Sequence, residues 1–342
     1  MNARKRVITA LSHRKPDHIP RYEIFLPDFI KKYKEMKRIE ENTNIYDHYT
    51  KIDIGTILAT HEGPFIGQKS TKEINGDIYL EGDSWGRLNR HSRCGYFFEV
   101  IETAIKEKND LDRLRFEDPC DPARYRIIIA DEKAIHDRFC PVSGVMGLIM
   151  SSWFLRGEAP FLMDLVDDEM FCRALVEKVA GFLTVAGENV LHGTNTWDTA
   201  LWVYDDFGTN QTTLISPDVF ERIFLGPYQK MISYWKSKGA KNIILHFDGN
   251  CLSIIDLLLE AGFTGIQGVY PTTGMTIPAV KAKYGNRLNL IGGMCNIHVL
   301  TKGTHADIER EVRSIVEAAK EGGVIIGAHS IDYDIPVENY GV

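Results

Sequence analysis

The sequence predicts an α/β fold built on a parallel sheet, and three observations support this prediction. Short, continuously apolar segments rich in β-branched residues recur along the chain, as expected for strands buried on both faces. Amphipathic segments with helix-capping residues separate these strands, and this alternation is typical of βαβ units. The length of 342 residues suits a single (β/α)₈ barrel, although an open, doubly wound sheet is also compatible with such units.

Eight segments are predicted as strands, three in the first half of the chain and five in a regular series after it. They are residues 19–25, 52–58, 141–150, 200–204, 242–246, 265–269, 288–292 and 324–328. Ser216-Pro217-Asp218 predicts the start of a helix that runs to Gly239, because serine caps helices and proline is favoured in the first turn. Thr304 predicts the start of another helix, which Gly322-Gly323 ends.

Residues 71–107 interrupt the alternation of strands and helices. Asn75-Gly76 predicts a hairpin turn between strands at 72–74 and 78–80, because this dipeptide favours two-residue hairpin loops. Further strands are predicted at 85–88 and 96–100. We interpret the segment as a β-rich insertion after the second strand, which covers one end of a single domain that comprises residues 1–342.

Composition and charge argue against several classes of function. The net charge of −7 includes no block of like charge, so we expect neither nucleic acid nor an anionic membrane as a partner. The six cysteines are scattered without a CxxC pattern, which is typical of reduced thiols in a cytoplasm. We find no signal-peptide pattern and no segment with the roughly 20 apolar residues that span a bilayer. A cytoplasmic protein is therefore expected.

Ligand-type side chains follow several predicted strands, at the ends where barrel enzymes place their chemistry. His246 and Asp248 are two residues apart at the end of the fifth strand, so their side chains point the same way. Cys295 follows the seventh strand and His329 the eighth. Imidazole, thiolate and carboxylate groups with an open fourth position are typical of catalytic Zn²⁺. The sequence predicts a metal site at His246, His329 and Cys295, with Asp248 as an acid or a further ligand.

Four other residues are candidates for contacts with a substrate or cofactor. Glu23 and Asp205 lie at the ends of the first and fourth strands, and we predict catalytic or substrate-binding roles for them. Tyr270 and Trp153 follow the sixth and third strands and are candidate cofactor contacts. Structural interpretations stay open beside these roles: a carboxylate can cap a helix, a cysteine or tryptophan can belong to the core, and a histidine can simply be hydrogen-bonded.

Several short motifs follow one another along the chain. They are Arg4-Lys5-Arg6-Val7, Pro16-Asp17-His18-Ile19-Pro20, Asp205-Asp206-Phe207-Gly208, Ile215-Ser216-Pro217, Pro227-Tyr228, His246-x-Asp248-Gly249-Asn250, Tyr284-Gly285-x-Arg287, Gly292-Gly293 and His329 with Pro336-x-Glu338-Asn339. In this order and spacing the sequence resembles the uroporphyrinogen decarboxylase superfamily, over nearly the whole chain except residues 71–107. The resemblance implies a closed (β/α)₈ barrel and favours it over the doubly wound sheet.

The decarboxylases of that superfamily carry an arginine-rich segment just after the first strand, which binds the carboxylates of the substrate. Here Arg21-Tyr22-Glu23 offers one arginine and a glutamate, which is too little positive charge for a tetra-anionic substrate. Asp53 falls where the catalytic aspartate of the decarboxylases is expected, and His329 matches their C-terminal histidine. The missing arginines nevertheless argue against that activity, and a carboxy-lyase acting on a tetrapyrrole or a smaller acid remains the alternative.

The resemblance extends to the corrinoid-linked methyltransferases, whose zinc ligands are an H-x-C motif on the fifth strand and a cysteine near the eighth. In this sequence His246-x-Asp248 replaces that motif and His329 replaces the last cysteine. The resemblance implies a methyltransferase that moves a methyl group between a small methylated molecule, such as an O-methyl compound, and a corrinoid held by a partner protein. The altered ligands argue against alkylation of a coenzyme thiol and favour demethylation of a small methylated molecule or methyl transfer to a non-thiol acceptor. A repurposed barrel without catalytic activity is a further alternative function. A homodimer is a further possibility for the assembly.

Overall fold

A computed structural model describes residues 1–48, 51–93, 98–328 and 330–340. Two sheets are present in this part of the chain. Their strands are β1 (Leu58–Ala59), β2 (Ser70–Glu73), β3 (Ile78–Gly82), β4 (Leu88–Ser92), β5 (Phe98–Glu102), β6 (Ser143–Met146), β7 (Leu201–Tyr204), β8 (Ile243–His246), β9 (Gly265–Val269), β10 (Asn289–Gly293) and β11 (Val324–Gly327). The parallel sheet has the strand order β1-β6-β7-β8-β9-β10-β11, and the antiparallel sheet has the order β2-β3-β4-β5.

Helices follow most strands of the parallel sheet. They are α1 (Ala3–Leu11), α2 (Pro27–Lys37), α3 (Asp110–Arg113), α4 (Arg126–Ile135), α5 (Leu148–Arg156), α6 (Glu158–Asp167), α7 (Glu169–Gly193), α8 (Pro217–Val219), α9 (Gly226–Ser237), α10 (Ile255–Ala261), α11 (Ile277–Tyr284), α12 (His305–Ala318) and α13 (Val337–Tyr340). A π-helical stretch, Phe220–Leu225, joins α8 to α9. Among the helices of the described residues, none is both long enough and apolar enough to cross a membrane.

Both helix starts predicted from capping residues are confirmed. The Ser216 hydroxyl accepts a hydrogen bond from the Val219 amide, and the helical segment that follows extends to Ser237. Thr304 caps α12 through a reciprocal capping box with Asp307, in which each side chain accepts from the backbone amide of the other residue. These caps supply partners for amides that the first turn of a helix leaves without intrahelical bonds.

Isolated parallel bridges extend the parallel sheet beyond both of its edge strands. Arg21 pairs with Ile326 of β11, and Tyr22 pairs with Ile54, which lies just before β1. The Tyr22 amide donates to the Ile326 carbonyl at 2.9 Å, and the Glu23 amide donates to the Ile54 carbonyl at 3.1 Å. The sheet is therefore curled, and its two edges approach each other through the segment that contains Arg21.

The curled sheet separates the apolar core into two clusters. The larger cluster lies between the sheet and the surrounding helices and includes the fully buried Phe161 and Trp235. The smaller cluster contains side chains from the strands, among them Trp202 and Ile244, together with Leu11 of α1. Side chains of successive strand residues alternate between the two clusters, as the pleat of a strand requires.

Helix α1 covers the amino ends of the parallel strands. The Gly323 amide, directly before β11, donates to the Ala10 carbonyl at 2.7 Å. On the same side Arg6 forms an ion pair with Asp53, and the Asp53 carboxylate also accepts from the Arg21 amide at 3.0 Å. Asp53 therefore lies at the amino ends of the strands, and it is the carboxyl ends of parallel strands that carry the chemistry of barrel enzymes.

The antiparallel sheet confirms the hairpin predicted at Asn75-Gly76, since Glu73 of β2 pairs with Tyr79 of β3. The strand predicted at 85–88 is wrong, because the Asp83 carboxylate accepts from the amides of Trp85 and Arg87 and so forms a turn before β4. In the strand predicted at 96–100, residues 96 and 97 lie outside the described residues, and β5 begins at residue 98. In sequence this sheet lies between β1 and β6.

The third predicted strand, at 141–150, is too long. Strand β6 ends at Met146, and α5 begins at Leu148. The amides of Ile149 and Met150 donate to the carboxylate of Asp205, which stabilises the first turn of the helix. A continuous apolar run does not distinguish a buried strand from a buried helix by its periodicity, so the sequence alone did not reveal this boundary.

Candidate functional site

Three neighbouring strands carry the central residues of the site. In the parallel registers of β7, β8 and β9, Tyr204 pairs with His246, and His246 pairs with Gln267. Asp206 and Asp248 lie two residues beyond Tyr204 and His246, so the alternation of strand side chains predicts the same side for them. The three strands thus bring aromatic, imidazole, amide and carboxylate groups together at their carboxyl ends.

Asp206, His246 and Asp248 form a compact set of possible ligands, which we call the carboxylate–imidazole group. His246 Nε2 lies 3.7 Å from Asp206 Oδ2 and 3.8 Å from Asp248 Oδ1. The Asp248 amide donates to Asp206 Oδ1 at 2.7 Å, which holds the two residues side by side. One ligand atom from each residue lies within 4.8 Å of the other two. His246 is half-buried and Asp248 is exposed, so a ligand can approach the group from the solvent side.

The other ring nitrogen of His246 is held by Gln267. His246 Nδ1 is hydrogen-bonded to Gln267 Oε1, and the Gln267 side chain is fully buried. The Tyr204 ring packs against the imidazole, with ring centroids 4.6 Å apart. In the neutral tautomer in which Nδ1 donates to the amide oxygen, Nε2 has a lone pair that faces the two carboxylates.

This donor set fits a Zn²⁺ ion. Zinc binds imidazole nitrogen and carboxylate oxygen at about 2.0–2.2 Å in tetrahedral geometry, which places the ligand atoms roughly 3.4 Å apart. The separations of 3.7 and 3.8 Å from His246 Nε2 to the carboxylate oxygens are close to this value. Three protein ligands leave one position open, as catalytic zinc sites do. A hydrogen bond from the second ring nitrogen, like that to Gln267, is usual for a metal-ligating histidine.

A pocket of about 250 Å³ adjoins the carboxylate–imidazole group. It is lined by Gly208, Thr209, Asn210, Asp248, Gly249, Gly268 and Tyr270. The backbone at Gly268 has φ +99°, and a Cβ atom there would lie 2.3 Å from the Phe247 carbonyl oxygen. Only glycine therefore allows this close approach of the two backbones. The Tyr270 hydroxyl donates to Asn296 Oδ1 at 2.6 Å, which fixes the ring at the edge of the pocket.

Asp205 is the sequence neighbour of Asp206, but its contacts lie on the helical side of β7. Its fully buried carboxylate accepts hydrogen bonds from the amides of Ile149 (3.1 Å) and Met150 (2.7 Å) and from the Tyr228 hydroxyl. Burial raises the pKa of this carboxyl to about 7. These contacts are those of a helix cap that ties α5 to β7. Asp206, and not Asp205, lies beside His246.

Glu23 belongs to a different network. Its Oε2 accepts from the Ala328 amide at 3.4 Å, and its Oε1 lies 3.5 Å from Arg21 Nη2. Arg21 also donates to the Tyr340 hydroxyl at 3.2 Å. Burial raises the pKa of Glu23 to about 7, although the positive charge of Arg21 opposes the rise. The single arginine of the segment after the first strand is thus engaged with Glu23 and Tyr340.

The remaining predicted site residues have other surroundings. Trp153 lies on α5 in the larger core cluster and is 7% exposed. Cys295 is buried, and its Sγ accepts from the His298 amide at 3.4 Å, so the thiol caps the short helical turn that follows β10. Within the described residues, the ligand set around His246 contains Asp206 and Asp248 but does not include Cys295. His329 lies outside the described residues, and its role as a ligand stays a prediction.

Sequence reasoning missed Asp206, Tyr204 and Gln267. The spacing of two residues that singled out His246 and Asp248 also relates Tyr204 to Asp206, and this spacing was the available signal. It did not decide between Asp205 and Asp206, because a strand that is apolar on both faces does not reveal which face is the inner one.

A curled parallel sheet with a polar group at the carboxyl ends of its strands is the arrangement of barrel-type enzymes. A model of the uroporphyrinogen decarboxylase (URO-D) family matches residues 99–342, which is more than half of the chain. The chain therefore belongs to the uroporphyrinogen decarboxylase family. The match includes β6 to β11 and the carboxylate–imidazole group, whereas the N-terminal motif that also resembles the superfamily lies before it.

The fold is similar to that of a methyltransferase from Methanosarcina mazei, with a TM-score of 0.68. The similarity covers 99% of this chain and 96% of that chain, at 15% sequence identity. At this identity the likeness is one of fold. No curated protein matches the chain in sequence.

Proposed function

We propose that the chain is a methyltransferase that moves a methyl group between a small methylated substrate, such as an O-methyl compound, and a corrinoid carried by a partner protein. The observation that carries this proposal is the carboxylate–imidazole group beside a pocket at the carboxyl ends of β7, β8 and β9. Membership of the decarboxylase family and the fold shared with a methyltransferase support it. The proposed setting is the cytoplasm.

We further propose that the parallel sheet closes as a (β/α)₈ barrel, with the antiparallel sheet as an insertion after its second strand. The bridges of Arg21 with Ile326 and of Tyr22 with Ile54 support closure, because they supply the strand that lies between β11 and β1. Closure places the carboxylate–imidazole group at one mouth of the barrel, where the loops that follow the strands converge.

Two features support a small substrate over a tetrapyrrole. The pocket of about 250 Å³ is below the roughly 300–1,000 Å³ of pockets for drug-sized ligands. The guanidinium of Arg21 contacts Glu23 and Tyr340. Its positive charge is therefore not directed at the carboxylates of a tetra-anionic substrate. The decarboxylase alternative predicts carbon dioxide release that does not depend on a corrinoid.

In the proposed reaction, Asp206, His246 and Asp248 would hold Zn²⁺, with His329 as a further predicted ligand. When bound, the ion supplies Lewis-acid polarisation of the heteroatom that carries the methyl group. Tyr270 and the glycine-lined floor of the pocket would orient the small molecule beside the carboxylate–imidazole group. In the demethylating direction, the bond between the heteroatom and the methyl carbon would break, the reduced corrinoid of the partner protein would take the methyl group, and the heteroatom would take a proton from solvent. The role of the chain itself is then to position and polarise the substrate.

The test combines the purified protein and Zn²⁺ with a reduced corrinoid protein and a set of O-methyl and N-methyl compounds. We expect a change in the visible spectrum of the corrinoid that requires both the chain and one methylated compound. The same preparation should not convert uroporphyrinogen to coproporphyrinogen. Carbon dioxide release from a tetrapyrrole or a smaller acid, without any change in the corrinoid spectrum, would favour the lyase.

A further inference from the structure

We propose that Gln267 is the positioning residue of the site: its amide oxygen fixes the orientation and the tautomer of His246, so that Nε2 binds the cation held between Asp206 and Asp248. The inference rests on the metal-binding part of the proposed function. It adds a residue from β9, a strand that contributes none of the three ligands.

The geometry of the strands prepares this contact. Gln267 and His246 are register partners in β9 and β8, so the backbone hydrogen bonds of the sheet set the distance between their side chains. Gln267 Oε1 is hydrogen-bonded to His246 Nδ1, and the Tyr204 ring lies on the imidazole from the neighbouring strand β7. Contacts on two sides hold the ring with Nε2 directed toward Asp206 and Asp248.

The burial of Gln267 gives a second indication. Its side chain is 0% exposed, and among the described residues its Nε2 is a buried donor without a hydrogen-bond partner. Leaving such a donor without a partner is energetically costly, so a glutamine at this position is unfavourable for the fold alone. The hydrogen bond of the amide oxygen with His246 explains why a polar side chain is present in an otherwise apolar strand.

The two orientations of the amide have opposite consequences. With the oxygen toward His246, the proton is on Nδ1 and Nε2 offers a lone pair to a cation. With the amide nitrogen toward His246, the proton is on Nε2, which then donates toward the carboxylates and excludes a metal ion. The proposal requires the first orientation, and it therefore predicts a tautomer that can be measured.

The experiment compares three variants of the full chain. Gln267→Leu removes the acceptor, Gln267→Glu keeps and strengthens it, and Asn289→Leu removes another buried amide that lies at the opposite end of the neighbouring strand β10. Zinc affinity is measured by competition with a coloured chelator. We expect Gln267→Leu to bind Zn²⁺ about 10- to 100-fold more weakly, because removal of such a partner has effects of this size. Gln267→Glu should bind at least as tightly as the wild type.

The control separates positioning from general stability. Asn289→Leu should lower the melting temperature and leave the zinc affinity close to that of the wild type. Equal zinc affinities in Gln267→Leu and the wild type would overturn the proposal. If Gln267→Leu does not fold, Gln267→Glu carries the test, since a glutamate that weakened zinc binding would also contradict the role of an acceptor.

A second readout does not depend on zinc. The ¹⁵N shifts of the His246 imidazole, identified by comparison with His246→Ala, should show a proton on Nδ1 in the metal-free wild type and a smaller population with a proton on Nδ1 in Gln267→Leu. If the wild type binds no Zn²⁺, the metal part of the proposed function fails, and these shifts still decide the role of Gln267. An Nε2–H tautomer in the wild type would refute the inference even where zinc binds.

Discussion

The two ends of the parallel strands both carry charged groups, but they combine these groups differently. At the amino end the buried Asp53 is ion-paired with Arg6, which also lies 2.7 Å from Asp17. At the carboxyl end Asp206 and Asp248 converge on His246. Opposite charges in contact neutralise each other, so the amino end stabilises the fold. Two carboxylates turned toward one imidazole concentrate negative charge, and such an arrangement stabilises a bound cation.

The largest effect is expected at the carboxyl end. We expect His246→Ala to lower methyl transfer about 100- to 1,000-fold and to abolish stoichiometric Zn²⁺, because Lewis-acid catalysis supplies several kcal/mol of transition-state stabilisation. Metal analysis and single-turnover kinetics measure the two effects. The exposed His305 offers a matched control, and His305→Ala should change neither. A metal-free wild type that is fully active would assign the three residues to acid–base or substrate-binding roles.

At the amino end the expected effect is on stability. Asp53→Asn should lower the free energy of unfolding by about 3 kcal/mol, because it leaves the Arg6 guanidinium partly uncompensated in a buried position. Urea denaturation measures this loss. Asp17→Asn removes the more exposed partner of Arg6 and should cost less. Zinc affinity of the folded Asp53→Asn protein should equal that of the wild type, and a large loss of zinc would mean that the two ends are coupled.

The buried Glu23 should make the stability of the fold depend on pH. Its pKa is raised to about 7 by burial, so the folded chain retains a proton that the unfolded chain loses near pH 4.5. Its contribution to stability is full below about pH 4.5 and is lost as the pH rises through about 7. Chemical denaturation between pH 5 and 8 should therefore show a smaller decline for Glu23→Gln than for the wild type. Parallel pH profiles of the two proteins would show that the carboxyl is ionised throughout this range.

The smallest effect is expected for Cys295→Ser. The Cys295 thiol accepts from the His298 amide, and a serine hydroxyl can take over this bond. We expect the free energy of unfolding to change by less than about 1 kcal/mol and zinc stoichiometry to remain at the wild-type value. Loss of zinc from this variant would restore Cys295 as a ligand.

The bounds of the strands in the C-terminal half were predicted to within one residue. Each is a short apolar run between a helix cap and a polar segment, and these boundaries are local. The end of β6 at Met146 was not predicted, because the contact that starts α5 comes from Asp205, far along the chain. The strand predicted at 85–88 failed for a different reason, since the side chain of Asp83 organises a turn there.

The candidate site was predicted in part. The spacing of His246 and Asp248 identified two of the three grouped residues, because side chains two apart in a strand share a face. Asp205 was chosen over Asp206 because the sequence of a strand that is buried on both faces does not show which face is the inner one. Gln267 was missed because its importance arises only from the register of β8 and β9, which is a property of the assembled sheet.

The bridge between Arg21 and Ile326 has a consequence for how the chain is made. The hydrogen bond from Ala328 to Glu23 joins residues 305 positions apart. The segment that contains Arg21 pairs on one side with Ile54, but it finds its second partner, β11, only after nearly all of the described chain has been synthesised. At about 5–20 residues per second, this delay is roughly 15–60 s. During that time the apolar side chains around Tyr22 lack their final neighbours. We expect nascent chains arrested before Ile326 to bind chaperones and to be cleaved readily by proteases, and chains released beyond it to become resistant.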